Sequence, residues 1–301
     1  MKSIIMDEVQ LSFEFFPPSS EAMEVRLWKA VEGLVPLSPR FVSVTYGAGG
    51  NIRTRTHETV KRIHKETSLA VAAHLTCVAA SRDEIDAIVR DYCDAGISHI
   101  VALRGDMPDG SSYNSHEQGY ASTPEMIIGI RNQGVSEISV SAYPEVHPDT
   151  SSMAADIELL RRKVEAGAVR AITQFCFETD DILRYRDKVR AAGLEIPIVP
   201  GLLPVTEFNG MARMARRCGA SVPDWLTRRY EGLEDQPEAC KQMAVCMAVE
   251  QCQRLLEHGI TMLHFYTLNR AEIVSAICQS IGVEASSLCS LHDLSTANRN
   301  E

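Results

Sequence analysis

Short apolar runs alternate with amphipathic stretches along most of the chain. Residues 11–15, 41–45, 71–76, 99–103, 138–142, 171–175, 197–202 and 262–267 read as strands. Most of these runs are continuously apolar, the pattern of parallel strands covered on both faces. Helical patterns fill the intervals. In residues 81–95, Ser81 is an N-cap, Glu84 stands at the capping-box spacing, and Gly96 is the stop. A long helix is expected after Asp235, with Glu238 three residues on and Gly259 closing it. Another is expected over residues 150–166, ended by Gly167. Strand–helix alternation predicts a parallel α/β sheet, and eight units favour a closed (β/α)8 TIM barrel over an open doubly wound sheet. The barrel would form a single domain over residues 1–283. Residues 223–232 would be an insertion before the last long helix, and residues 284–301 a polar, loosely ordered tail.

The 301 residues carry a formal charge of −10, with no basic run interleaved with aromatics. That argues against a nucleic-acid partner. No stretch is long and apolar enough to span a membrane, and residues 1–10 do not read as a signal peptide. Nine scattered cysteines without a C-x-x-C pair point to reduced thiols and a cytoplasmic setting. Cys240, Cys246 and Cys252 recur every six residues, which does not hold one helix face, so they read as small apolar fillers and not as metal ligands.

The active site of such a barrel lies at the C-terminal strand ends. Those ends offer Glu14, Thr45, Tyr46, His74, Thr76, Arg104, Gly105 and Asp106, then Tyr143, Glu145, His147, Thr173, Gln174, Asn269 and Arg270. Polar groups gathered on one rim point to an enzyme or a polar ligand site. None of these ends carries a lysine for Schiff-base chemistry. Glu14 lies among Phe13, Phe15 and Phe16. A carboxyl desolvated by phenyl rings would stay protonated to higher pH and serve as a general acid; the alternative is a strand-end carboxylate turned to water. His74 lacks a neighbouring ligand at metal spacing and reads as a hydrogen-bonding imidazole; no metal site is expected. Gly47-Ala48-Gly49-Gly50-Asn51 fails the dinucleotide fingerprint, because Ile52 replaces the third glycine, and it reads as a flexible rim loop. Arg161-Arg162-Lys163 is, on local grounds, favourable charge near a helix C-terminus.

Several blocks together resemble the methylenetetrahydrofolate reductases. They are Phe13-Glu14-Phe15-Phe16-Pro17-Pro18, Val44-Thr45-Tyr46-Gly47-Ala48, Ala73-His74-Leu75-Thr76-Cys77 and Ala102-Leu103-Arg104-Gly105-Asp106. Further along stand Ala142-Tyr143-Pro144-Glu145-Val146-His147-Pro148, Ala171-Ile172-Thr173-Gln174-Phe175, Pro200-Gly201-Leu202-Leu203-Pro204 and His264-Phe265-Tyr266-Thr267-Leu268-Asn269-Arg270.

The resemblance implies a TIM barrel holding FAD. NADH or NADPH would reduce the flavin and leave, and 5,10-methylenetetrahydrofolate would take its place and become 5-methyltetrahydrofolate, a ping-pong cycle supplying methyl groups for methionine synthesis. It implies Glu14 as the general acid, Asp106 as a charge near the flavin and pterin, and Gln174 as a side chain serving both half-reactions. FAD contacts would be Tyr46, His74, Arg104, Gly105, Asp106, Ala121, Tyr143, His147, Asp156, Arg162 and Lys163. Thr45 would meet the nicotinamide, and Phe208 and Arg270 the folate. Gly210 and Leu159 replace a Gln and an Asn of the family pattern, and the loop over residues 108–119 is lengthened. A homo-oligomer, dimer or tetramer, is implied. The competing reading is a barrel that binds flavin or folate without catalysis.

Overall fold

The computed structural model describes residues 9–46, 50–107, 111 and 113–285. Nine parallel strand segments form one sheet in the order β7-β6-β5-β4-β3-β2-β1-β9-β8. They are β1 Gln10–Phe15, β2 Phe41–Val44, β3 Val71–Thr76, β4 His99–Leu103, β5 Glu137–Ala142, β6 Arg170–Thr173, β7 Ile198–Val199, β8 Gly201–Leu202 and β9 Met262–Tyr266. The expected seventh strand is thus split at Pro200. Its first half pairs with β6 and its second with β9, so this bent strand brings the sheet round into a nearly closed barrel. A proline has no N–H to give a ladder, which is why the break falls there. The Pro200 carbonyl still accepts the His264 N–H at 3.0 Å.

The helices are α1 Glu21–Leu34, α2 Gly50–Glu66, α3 Arg82–Asp94, α4 Thr123–Asn132, α5 Met153–Ala166, α6 Thr179–Ala191, α7 Phe208–Cys218, α8 Asp224–Tyr230, α9 Pro237–Glu257 and α10 Ala271–Ser280. The Ser81 capping box of α3 is present: Ser81 Oγ accepts the Glu84 N–H, and a Glu84 carboxylate oxygen accepts the Ser81 N–H at 2.8 Å. Two boundaries differ from the pattern. Capped by Ser152, α5 begins at Met153 and not at residue 150, and α9 begins at Pro237, with Gln236 between it and Asp235. Pro fits the first helical turn, where an N–H has no acceptor anyway. Residues 223–232 are the expected insertion and contain α8. Gly50 and Asn51, expected in a rim loop, open α2, and residues 47–49 of that loop lie outside the described residues. Of the tail, Glu284 and Ala285 are exposed and residues 286–301 lie outside the described residues. Cys240 and Cys252 are buried as expected, but Cys246 is exposed, because a spacing of six moves it off the inner face.

Strand side chains divide by parity. Phe13, Phe15 and Phe265 point outward into the layer between sheet and helices and are fully buried there. Removing each ring from water contributes about 2–3 kcal/mol. The opposite face lines the barrel interior with an unusual share of polar groups, including Ser12, Glu14, Ser43, His74, His99, Ser139, Arg170 and His264, all buried. Phe41, Ala72, Val101, Ile172 and Val199 form the apolar part of that interior. Lower in the barrel, the Arg170 guanidinium sits 5.0 Å over the Phe41 ring and donates to Ser139 Oγ at 3.2 Å and to Glu137 at 3.3 Å. A third apolar cluster joins Phe175, Phe177, Met211, Leu226 and Tyr230 beneath α7, α8 and α9.

Candidate active site

Two adjoining cavities open at the C-terminal ends of the strands. The first, about 300 Å³, is lined by Glu14, Thr45, Tyr46, His74 and Gln174 among others. The second, about 250 Å³, is lined by Arg104, Ala121, Tyr143, His147, Asp156 and Lys163 among others. Ser141 of β5 lines both. Residues that the sequence resemblance groups by role therefore separate into two neighbouring chambers.

Glu14 projects into the first cavity from β1. Because Phe13 and Phe15 take the other face of the strand, the expected phenyl environment is corrected in part: of the three rings only Phe16 lines the cavity with Glu14, and imidazoles stand beside its carboxylate. Glu14 Oε2 lies 3.3 Å from His74 Nε2 and 3.6 Å from His264 Nε2. Both nitrogens are buried, and neither has a hydrogen-bond partner. The β1–β9 register sets Ser12 beside His264 and Glu14 beside Tyr266. Ser12 Oγ donates to the Leu263 carbonyl at 3.3 Å and lies 2.8 Å from His264 Nδ1. With its one hydrogen on the Leu263 carbonyl, the hydroxyl accepts from His264 Nδ1, which assigns the ring that tautomer. In that neutral tautomer Nε2 presents a lone pair towards Glu14 across 3.6 Å, beyond hydrogen-bond length. Burial, partly offset by Glu14, lowers the pKa of His74. Tyr266, also lining this cavity, donates to the Thr173 carbonyl at 2.7 Å. That contact needs Gly201, since a Cβ there would lie 2.3 Å from the Thr173 carbonyl oxygen. The pattern of apolar runs singles out neither His264 nor Ser12, which meet only when β1 pairs with β9.

Gln174 is half-buried at the end of β6, and its Oε1 accepts the Phe175 N–H at 3.0 Å. Its amide NH2 group remains for a ligand. Tyr46 stands edge-on to His57 at 5.7 Å, with the Arg53 guanidinium 5.8 Å from its ring centroid. Thr45 and Tyr46 are both half-buried.

In the second cavity, Lys163 is buried and donates to the Ser141 carbonyl at 3.0 Å. Burial pushes its pKa down to about 8, against the pull of Asp156. Asp156 accepts the His147 N–H at 2.7 Å, and the Tyr143 and His147 rings meet edge-on at 4.5 Å. Arg104 reaches Asp149 at 2.7 Å and stacks on Tyr113 at 5.0 Å. The Asp106 carboxylate is 94% exposed on the rim, 3.5 Å from Arg104. Gly105 takes φ +81° and packs where a Cβ would lie 2.6 Å from Val78, so no other residue fits there without strain. Leu159 lines the second cavity as an apolar patch.

The three consecutive cations of α5 go three ways: Arg161 donates to the Ala192 carbonyl at 2.6 Å, Arg162 is exposed, and Lys163 turns inward. Steps of about 100° along a helix allow nothing else. Phe208, expected over the ligand ring, stacks on Tyr230 at 5.5 Å, and Arg270 donates to Thr206 Oγ1 at 2.6 Å; neither lines either cavity. Gly210 gives its N–H to Glu207 at 2.6 Å at the start of α7. Among the described residues, Glu145, Cys176 and Asp181 bring three metal-binding atoms within 4.8 Å of one another. Glu145 already accepts the Ser221 N–H, and burial pushes the Cys176 thiol pKa up, so the trio is not organised as a metal site.

The chain matches the family model described as methylenetetrahydrofolate reductase over residues 1–282. It is 44% identical over 284 residues to the 5,10-methylenetetrahydrofolate reductase of Salmonella typhimurium, covering 93% of either chain. It is 44% identical over 279 residues to the enzyme of that name from Escherichia coli, with the same coverage. A Clostridium thermocellum protein, solved with two copies of 5-methyl-5,6,7,8-tetrahydrofolic acid, superposes with a TM-score of 0.63 at 15% identity over 91% of this chain and 95% of that one. This last likeness supports the fold alone. The sequence match runs through every strand that supplies a side chain to the two cavities, from Glu14 on β1 to Tyr266 on β9, and by it the chain belongs to the methylenetetrahydrofolate reductase family.

Proposed function

We propose that this chain reduces 5,10-methylenetetrahydrofolate to 5-methyltetrahydrofolate in two half-reactions sharing the first cavity, with FAD held between the two cavities and NADH or NADPH as the reductant. The reduction of methylenetetrahydrofolate follows from the family; the cofactor, the nicotinamide and the ping-pong order are our reading. The observation that carries it is the pairing of a buried carboxyl–imidazole cluster, Glu14 with His74 and His264, with an adjoining chamber that holds a buried lysine.

The residues fit FAD. Lys163 is a desolvated cation whose burial Asp156 offsets only in part, and Arg104 adds a second positive group, together suited to a pyrophosphate. The Gly105 backbone offers a close approach that a Cβ would fill. Tyr46, His74, Ala121, Tyr143, His147 and Asp156 would line the remainder, with Arg162 reaching in from the surface. When bound, FAD would supply the two-electron transfer between nicotinamide and folate. Thr45 would receive the nicotinamide. Glu14 would deliver a proton to the folate nitrogen as the five-membered ring opens, its carboxyl kept out of bulk water and facing the His264 lone pair. Gln174 would orient either substrate through its free amide NH2. Asp106 would place negative charge at the rim, where a cationic folate is favoured, and Phe208 and Arg270 would complete the folate site. A cytoplasmic setting fits the free thiols at the described cysteines. Assembly into a homo-oligomer belongs to the same reading.

An anaerobic titration tests it. The purified protein should show a flavin spectrum that bleaches with NADH and recovers with methylenetetrahydrofolate. Bleaching without recovery would remove the folate step, and no flavin after incubation with FAD would remove the cofactor.

A further inference from the structure

Beside the catalytic mouth, on the far side of the β9–α10 turn, runs a groove of about 1070 Å³ between α1 and α10. It follows α1 from Ala22 to Gly33, about 16 Å at 1.5 Å per residue. Leu268 lines the first cavity, and the next two residues, Asn269 and Arg270, line the groove, so the two spaces meet at one turn. The groove is lined by four cations, Arg26, Lys29, Lys241 and Arg270, against two carboxylates, Glu32 and Glu272; Lys241 is already paired with Glu238 at 2.8 Å, which leaves Arg26, Lys29 and Arg270. In a chain of net charge −10 this is a local reversal of sign. Arg26 and Lys29 are exposed and have no ion-pair partner among the described residues, and Arg270 is held by the neutral Thr206 hydroxyl. Helix α10 starts at this groove with no side chain capping its first turn, so its positive end opens there too.

We propose that this groove binds a chain of carboxylates attached to the substrate, the γ-linked glutamate extension of a folate, with Arg270 meeting the first carboxylate and Arg26 and Lys29 the later ones. The proposal rests on the folate reading above. Carboxylates spaced along a flexible chain match cations spaced along a helix, and exposed charge pairs of this kind add affinity without touching the reacting atoms.

The test compares monoglutamyl and pentaglutamyl methylenetetrahydrofolate on the wild type and on the double variant Arg26→Glu, Lys29→Glu. Both positions are exposed, and flavin content reports folding. The wild type is expected to show a KM at least about five-fold lower for the pentaglutamate, the size given by a few exposed charge pairs. The variant should lose that advantage, with kcat and the monoglutamate KM unchanged. Raising the salt should shrink the wild-type advantage. A fluorescein-labelled γ-linked pentaglutamate, followed by anisotropy, reads the groove without turnover. If folate is turned over but the KM ratio is the same in both proteins and the peptide binds neither, the groove proposal fails and the reductase reading stands. If no folate is turned over while the peptide binds the wild type and not the variant, the groove stands and the reductase reading fails.

Discussion

Asn269 grips the backbone of Phe16 at both polar atoms: its Oδ1 accepts the Phe16 N–H at 2.9 Å and its Nδ2 donates to the Phe16 carbonyl at 3.0 Å. The two residues are 253 positions apart, and the clasp ties the turn after β9 to the end of β1, one residue beyond the strand that carries Glu14. Asn269 holds this pose at φ +55°, a conformation that asparagine tolerates better than most residues. Asn269→Ala is expected to lower the unfolding free energy by about 2–4 kcal/mol, from two lost hydrogen bonds and the left-handed backbone. Asn269→Gly should recover only the backbone part. Urea midpoints of the three proteins measure the difference, and equal stability of wild type and the alanine variant would show the clasp to be idle.

Glu14→Gln keeps the shape and removes the exchangeable proton. Folate reduction is expected to fall by about 10²–10⁴-fold, the usual size of a general-acid contribution. Reduction of bound flavin by NADH should persist at a comparable rate, because no proton is delivered to folate there. Single-turnover absorbance separates the two, and unchanged folate turnover would assign the proton to another group.

Lys163 gives an alkaline signature. The folded protein releases its proton near pH 8, whereas the unfolded chain keeps it up to 10.5. Between those values the unfolded state binds more protons, so unfolding free energy rises with pH. Below pH 8 the buried charge destabilises the protein without cofactor. Lys163→Met should stabilise that form near neutral pH by about 1–3 kcal/mol. The same change should weaken FAD binding by about ten-fold or more through loss of a charged phosphate partner. Thermal melts and flavin fluorescence on one set of samples would expose a variant that moves neither.

Acid acts through the histidines inside the barrel. Burial, assisted by Arg170, lowers the His99 pKa from 6.5 to about 3, and His74 is shifted in the same direction. A base whose folded pKa is depressed contributes stability that is full above 6.5 and is lost as pH falls towards 3. For His99 alone the loss should reach about 2 kcal/mol by roughly pH 5. His99→Asn is expected to flatten the stability profile between about pH 7 and 5. Chemical denaturation across that range decides it, and parallel profiles would remove His99 as the titrating group.

The strands were legible because parallel strands buried on both faces leave continuous apolar runs, and Ser81 with Glu84 announced α3 by chemistry confined to four residues. Side-chain neighbourhoods were less legible where they depend on parity or register. Phe13 and Phe15 adjoin Glu14 in sequence but lie across the sheet from it, whereas His264 is remote in sequence and touches it. Arg162 and Lys163 looked equivalent until helix geometry turned one outward and buried the other. Pro200 marked the place where a strand cannot donate, yet only the pairing of its two halves with different neighbours explains how it carries the sheet round.

The pairing of β1 with β9 sets the order in which the molecule can be made. Ser12 and His264 are 252 residues apart. At roughly 5–20 residues per second of synthesis, β1 waits on the order of 10–50 seconds after it is translated before its second neighbour exists. During that time the growing sheet has two open edges, and Glu14 sits beside one of them. The nascent chain is therefore exposed to edge-to-edge association until β9 emerges, and the Glu14 carboxyl acquires its His264 neighbour only then.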